Sequence, residues 1–129
     1  MEKKIKELTR AEEQVMQILW KQGKGYVKDL VNHFPEPKPA YNTVSTIIRI
    51  LEKKGVVAHK SYGNTHEYYP LLTREAYSKR YLGSFVNRFF GNSYHNLVSF
   101  FAEHEQVSLQ ELEEIRHIVE KEISKKRKK

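Results

Sequence analysis

The chain has 129 residues, 39% of them hydrophobic and 30% charged, which is enough apolar matter for one ordinary domain or two small ones and too little length for a large multidomain enzyme. The lack of cysteine excludes disulfides, thiol catalysis, thiolate zinc sites and iron–sulfur clusters. A formal net charge of +7 suits a polyanionic partner, and it is unevenly placed. Residues 1–72 carry 12 basic and 8 acidic side chains, residues 73–124 carry 6 and 8, and residues 125–129 are all Lys or Arg. Met1-Glu2-Lys3-Lys4 opens no apolar signal segment, and no apolar run approaches the roughly 20 residues of a membrane helix. A cytoplasmic chain without membrane insertion is therefore expected.

Thr9-Arg10-Ala11-Glu12 has the spacing of a capping box, so a first helix is predicted over 10–22, with Ala11, Val15, Ile18, Leu19 and Trp20 on its apolar side and Gly23 and Gly25 ending it. Val27, Leu30, Val31 and Phe34 predict a short second helix over 26–34, stopped by the prolines at 35, 37 and 39. Val44, Ile47, Ile48 and Leu51 then follow at i, i+3, i+4, i+7, and a third helix from Ala40 runs to Gly55. Stepping ~100° per residue places Asn42, Ser45, Thr46, Arg49 and Lys53 on the opposite side, with Thr43 and Ile50 at its margin. The first three turns of that face carry no carboxylate.

Val56–Tyr62 and Thr65–Leu71 are rich in β-branched and aromatic residues and flank Gly63-Asn64, which predicts a hairpin pairing Tyr62 with Thr65 and Lys60 with Glu67. Thr73 caps a helix reaching Phe90, whose apolar positions Tyr77, Tyr81, Leu82, Phe85, Val86, Phe89 and Phe90 cover nearly half its circumference. Gly91-Asn92-Ser93 closes it. Tyr94–His104 and a helix opened by the capping box Ser108-Leu109-Gln110-Glu111 complete the chain. The expected organisation is mainly α with a small β-hairpin: an N-terminal winged helix-turn-helix (1–72), a C-terminal three-helix unit (73–124) and a basic tail (125–129).

In such a fold the later helix enters the major groove of double-stranded DNA. Asn and Arg read adenine and guanine edges bidentately, Thr methyls meet thymine, and Ser serves either base. Asn42, Thr43, Ser45, Thr46, Arg49 and Lys53 are thus the candidate groove residues, and Lys60, Tyr62, Asn64 and His66 on the hairpin are candidates for the backbone or minor groove. Tyr81, Phe85, Phe89, Leu97, Phe101, Leu112, Ile115 and Val119 are more apolar surface than a 57-residue segment hides alone, and are the candidate dimer contacts. None of the six histidines falls in an H-x-x-x-H or H-E-x-x-H pattern, so no metal or cofactor is expected. No catalytic motif is present, so the chain does not read as an enzyme. A winged helix that binds only protein is the rival reading, and it would show no salt-dependent DNA affinity.

Leu8-Thr9-Arg10-Ala11-Glu12 with Val15-Met16-Gln17-Ile18-Leu19-Trp20, the run Tyr41-Asn42-Thr43-Val44-Ser45-Thr46 through Gly55, and Tyr68-Tyr69-Pro70-Leu71 resemble the penicillinase-repressor family of bacterial regulators. The resemblance spans nearly the whole chain. It implies a homodimeric repressor on a palindromic operator, with an N-terminal winged helix and a C-terminal dimerisation domain. It further implies release by inactivation of that domain through a membrane sensor peptidase or a downstream protease. Three features depart from the family. Arg49 is followed by Ile50 where the family often has Arg directly before Leu, which re-aims an arginine contact. The cysteines of the copper-responsive branch are absent. The stretch matching the Asn-Phe bond cleaved in the antibiotic-responsive branch reads Ser99-Phe100-Phe101, within the Asn96–Ala102 segment where control is expected.

Overall fold

The computed structural model describes residues 7–104 and 106–128. Thr9 is extended (φ −68°, ψ 165°), and its hydroxyl accepts from the Glu12 amide at 3.2 Å while Glu12 Oε1 accepts from the Thr9 amide at 2.8 Å. This reciprocal cap satisfies two of the amides that a helix start leaves open, and α1 follows over Arg10–Gln22. Gly23 (φ 86°) ends it, a conformation that disfavours side chains with a Cβ. Helix α2 spans Val27–Asn32 and α3 spans Tyr41–Lys53. The second helix is shorter than its apolar spacing predicts. Tyr26 is extended and precedes it as the cap, His33 ends it, and Phe34 packs against the core from outside the helix.

Strands β1 (Val57–Tyr62) and β2 (Thr65–Pro70) form an antiparallel hairpin in which Lys60 pairs with Glu67 and Tyr62 with Thr65, the expected register. One further pairing, between residues 43 apart in sequence, ties the hairpin to the helices. Gly25 exchanges both backbone hydrogen bonds with Tyr68, at 2.9 and 2.8 Å. Val15, Met16 and Leu19 of α1, Leu30 of α2, Val44, Ile48 and Leu51 of α3, and Val56 before the hairpin are completely buried together. Ala11 is exposed and Met16 is fully buried, so the core face of α1 lies slightly around from the face expected.

Helix α4 runs over Arg74–Phe90, and Thr73 Oγ1 accepts from the Ala76 amide at its start. Its first two turns belong to the winged-helix unit: Tyr77 is buried, its hydroxyl accepts from the Leu8 amide at 3.1 Å, and its ring lies 6.0 Å from that of Trp20. Trp20 Nε1 donates to the Leu72 carbonyl at 2.7 Å. The chain divides into two compact units between Tyr81 and Leu82, inside α4, whereas composition places the boundary at 72/73. The shift follows from Tyr77, whose anchorage keeps the beginning of the helix with the first unit.

The second unit holds the rest of α4, α5 (Tyr94–His104) and α6 (Leu109–Arg127). Gly91 (φ 57°) and Asn92 (φ 64°) turn the chain after α4, and Ser108 Oγ accepts from the Glu111 amide to open α6. The stretch expected to be a tail is helical: α6 continues through Lys125, Lys126 and Arg127 to a cap at Lys128. Among the described residues, Val86 is the one hydrophobic side chain of this unit that is buried. No helix among them is long and apolar enough to cross a membrane.

Candidate nucleic-acid interface

The orientation of α3 follows from its core stripe. With Val44, Ile48 and Leu51 at 0% exposure, the other side of the helix must point outward. Asn42, Thr43, Thr46, Arg49 and Lys53 are exposed there, and Ser45 is half-buried. Thr46 Oγ1 donates to the Asn42 carbonyl at 2.9 Å, and Arg49 Nε donates to the Ser45 carbonyl at 3.3 Å. The latter bond lays the arginine stem along the helix. Glu52 is the only carboxylate of α3, and its Oε2 lies 2.6 Å from His59 Nδ1 on β1. The outward face therefore presents donors and cations with little opposing charge.

Alternation along the hairpin sorts its side chains between two faces. His59 and Tyr68 stand opposite each other on one, as do Ser61 and His66. The rings of His59 and His66 are 4.2 Å apart and those of His59 and Tyr68 are 5.5 Å apart, while Ser61 Oγ lies 3.1 Å from His66 Nδ1. This is the face turned to α3. Between it and the helices is an open cleft of about 650 Å³, lined by Tyr26, Lys28, Tyr41, Ser45, Arg49, Asn64, Thr65, His66 and Tyr68, with Asp29 at α2. Burial pushes the Tyr68 phenol up, the Glu52 charge adds to that, and Arg49 offsets part of it. The phenol stays a proton donor across the neutral range.

Of the candidate DNA residues, the structure brings Ser45, Arg49 and Asn64 into this one cleft, together with His66. Asn42, Thr43, Thr46 and Lys53 share the exposed side of α3 outside it. Lys60 and Tyr62 are exposed on the other hairpin face, where Lys60 opposes Glu67 and the Tyr62 ring meets Tyr26 at 6.5 Å, edge to face. Tyr26, Lys28, Tyr41 and Thr65 line the cleft without having been singled out by sequence. The Gly25–Tyr68 pairing carries Tyr26 there, and no local pattern announces it. Among the described residues, no three His, Asp or Glu side chains are placed to hold a metal ion.

The candidate dimer residues lie in the second unit, apart from Tyr81, which ends the first. Phe89, Val119 and Tyr81 are exposed, and Phe85, Leu97, Phe101, Leu112 and Ile115 are half-buried. Within the second unit, Phe85 meets Phe89 at 5.1 Å and Phe90 at 5.8 Å, and Phe90 meets Phe100 at 5.6 Å.

Residues 8–121 match the family described as penicillinase repressor. The chain belongs to that family. Among its relatives, the penicillinase repressor of Bacillus licheniformis is 28% identical over 126 residues, spanning 97% of this chain and 98% of its own. The methicillin resistance regulatory protein MecI of Staphylococcus aureus (strain N315) is 29% identical over 122 residues, spanning 94% and 99%. Among solved structures, the solution structure of the DNA binding domain of the repressor BlaI is similar at a TM-score of 0.50 and 25% identity, covering 58% of this chain and 93% of that one. The winged helix expected from the order of elements is thus the architecture of a repressor's DNA-binding domain.

Proposed function

We propose that this chain is a DNA-binding transcriptional repressor that acts as a homodimer on a palindromic operator, with α3 in the major groove and the hairpin along the backbone. One observation carries the reading. The exposed side of α3 presents Asn42, Thr46 and Arg49, its single carboxylate is drawn onto His59, and Arg49 opens into a cleft shared with the hairpin. Arg49 makes the decisive base contact, and Asn42, Thr43, Ser45 and Thr46 the neighbouring ones. Lys53, Lys60, Tyr62 and Asn64 position the protein on phosphates.

Dimerisation is supported by the second unit, which among its described residues buries only Val86 of its hydrophobic side chains and leaves Phe89 65% exposed. Pairing two copies would cover that surface and tether two winged helices. Tethering makes the second half-site encounter effectively intramolecular, with a gain of about 10²–10⁴ over one arm. Inactivating the second unit then releases DNA without touching α3. The family's Asn-Phe cleavage is not carried over, because the matching stretch reads Ser99-Phe100-Phe101; Asn96–Ala102 is kept only as the segment where a membrane sensor peptidase or a downstream protease would act, and fragment mapping by mass spectrometry tests it.

The operator reading is tested with Arg49→Ala. Removing a bidentate base contact costs about 1–3 kcal/mol on the operator and less on mixed-sequence duplex. Fluorescence anisotropy on an operator selected from a random library reads both affinities. Equal losses on the two duplexes would reduce Arg49 to a phosphate contact.

A further inference from the structure

Helix α6 segregates its charges along its length. Its first part carries Glu111, Glu113, Glu114, Glu120 and Glu122, and after Glu122 no acid follows while Lys125, Lys126, Arg127, Lys128 and Lys129 do. Three of these five cations, Lys125, Lys126 and Arg127, lie in the helix, Lys128 caps it with helical backbone angles, and Lys129 lies outside the described residues. At ~100° per residue, Lys121, Lys125 and Lys128 form one stripe, on the opposite side from Leu112, Ile115, Val119 and Ile123. All three lysines are exposed. Packing of the apolar stripe would therefore leave the lysine stripe open. Lys125 lies 3.4 Å from Glu122, but both side chains are more than half exposed, and such a pair is weak and yields readily to another anion.

We propose that the basic end of α6 is a second, sequence-independent contact for the phosphate backbone of duplex DNA. The inference rests on the operator reading, since it presumes a chain that meets DNA. Duplex phosphates are favoured over a lipid surface because α6 has no Trp, Phe or Tyr to seat in a bilayer interface. Lysines and an arginine on exposed helical turns neutralise phosphates without reading bases. The segment thus adds affinity for any duplex and leaves discrimination to α3.

The test is a full-length variant carrying Lys125→Gln, Lys126→Gln, Arg127→Gln and Lys128→Gln, changes that keep helix propensity nearly constant. Far-UV circular dichroism and sedimentation confirm an intact fold. Binding to a mixed-sequence duplex is then titrated against salt, beside the unaltered chain and Arg49→Ala. The expected result is a log-affinity against log-salt slope less negative by about 2 to 4 per chain, a loss of about tenfold or more at low salt, and an unchanged ratio of operator to mixed-sequence affinity. An unchanged slope and affinity overturns the inference. So does a loss confined to vesicles of phosphatidylserine and phosphatidylcholine. If operator binding falls with Arg49→Ala while the four-glutamine variant matches the unaltered chain, this inference alone fails; if the unaltered chain binds no duplex, the operator reading fails.

Discussion

Glu12 is a carboxylate with only 5% of its surface exposed, held by two unrelated parts of the chain. Its Oε1 accepts from the Thr9 amide and from Lys54 Nζ, at 2.8 and 2.7 Å. Burial pushes its carboxyl up, and the Lys54 and Thr9 hydrogen bonds together with the Lys54 charge outweigh that, leaving it below its ordinary value. A carboxyl depressed in the folded state stabilises the protein above its unfolded value, and the contribution disappears as pH falls through the folded one. Glu12→Gln keeps the acceptor for Thr9 and strands a partly buried ammonium, which should cost about 1–3 kcal/mol at neutral pH. Urea unfolding should show this difference shrinking on acidification, and a constant difference would separate Lys54 from the effect. The Thr-x-x-Glu spacing made the cap legible in the sequence. Lys54 was not, because its partner lies 42 residues away and only the packing of α1 on α3 brings the two together.

At the scale of elements, two glycines should respond to the same substitution with opposite signs. Gly63 sits in the hairpin turn at φ 62° with nothing within 4 Å of where a Cβ would stand. Gly63→Ala therefore meets no clash and pays only the left-handed conformation, about 1–2 kcal/mol. Gly83 lies inside α4, again with open space around it, and Gly83→Ala should stabilise by about 0.5–1 kcal/mol by restricting the unfolded chain. Thermal unfolding of the two variants checks the sign of each. The hairpin register and the extents of α1, α4 and α5 were readable from local pattern because capping residues and turn glycines mark their ends. The start of α2 at Val27 and the place of Tyr26 were not, since both depend on the backbone pairing of Gly25 with Tyr68. The cleft was half legible for the same reason: Ser45 and Arg49 follow from the face of one helix, whereas Tyr41 and Lys28 join them only through packing.

For the whole molecule, the contrast between the units carries the argument. The first closes a core of completely buried side chains drawn from three helices and the start of the hairpin, while the second buries Val86 and leaves its remaining apolar groups partly open. A homodimer should therefore exist at micromolar concentration in sedimentation equilibrium. Phe85→Asp with Phe89→Asp should give monomers or unfold the second unit, and operator affinity should fall toward that of a single arm. A monomeric mass for the unaltered chain would overturn the dimer. The surplus of apolar residues after position 73 was visible in the sequence, but the division inside α4 was not. Tyr77 reads there as one more residue of the apolar stripe, and its hydroxyl bond to Leu8 is a contact across 69 positions.

The sequence contains a single tryptophan, and its indole is fixed by the Leu72 carbonyl and the Tyr77 ring. Its fluorescence is consequently a reporter of the winged-helix unit alone. Excited at the red edge of protein absorption, the chain emits a signal blind to the fate of α5 and α6, whereas far-UV ellipticity weighs every helix. Overlaying the two melting curves would show from unlabelled protein whether the two units unfold together or in succession.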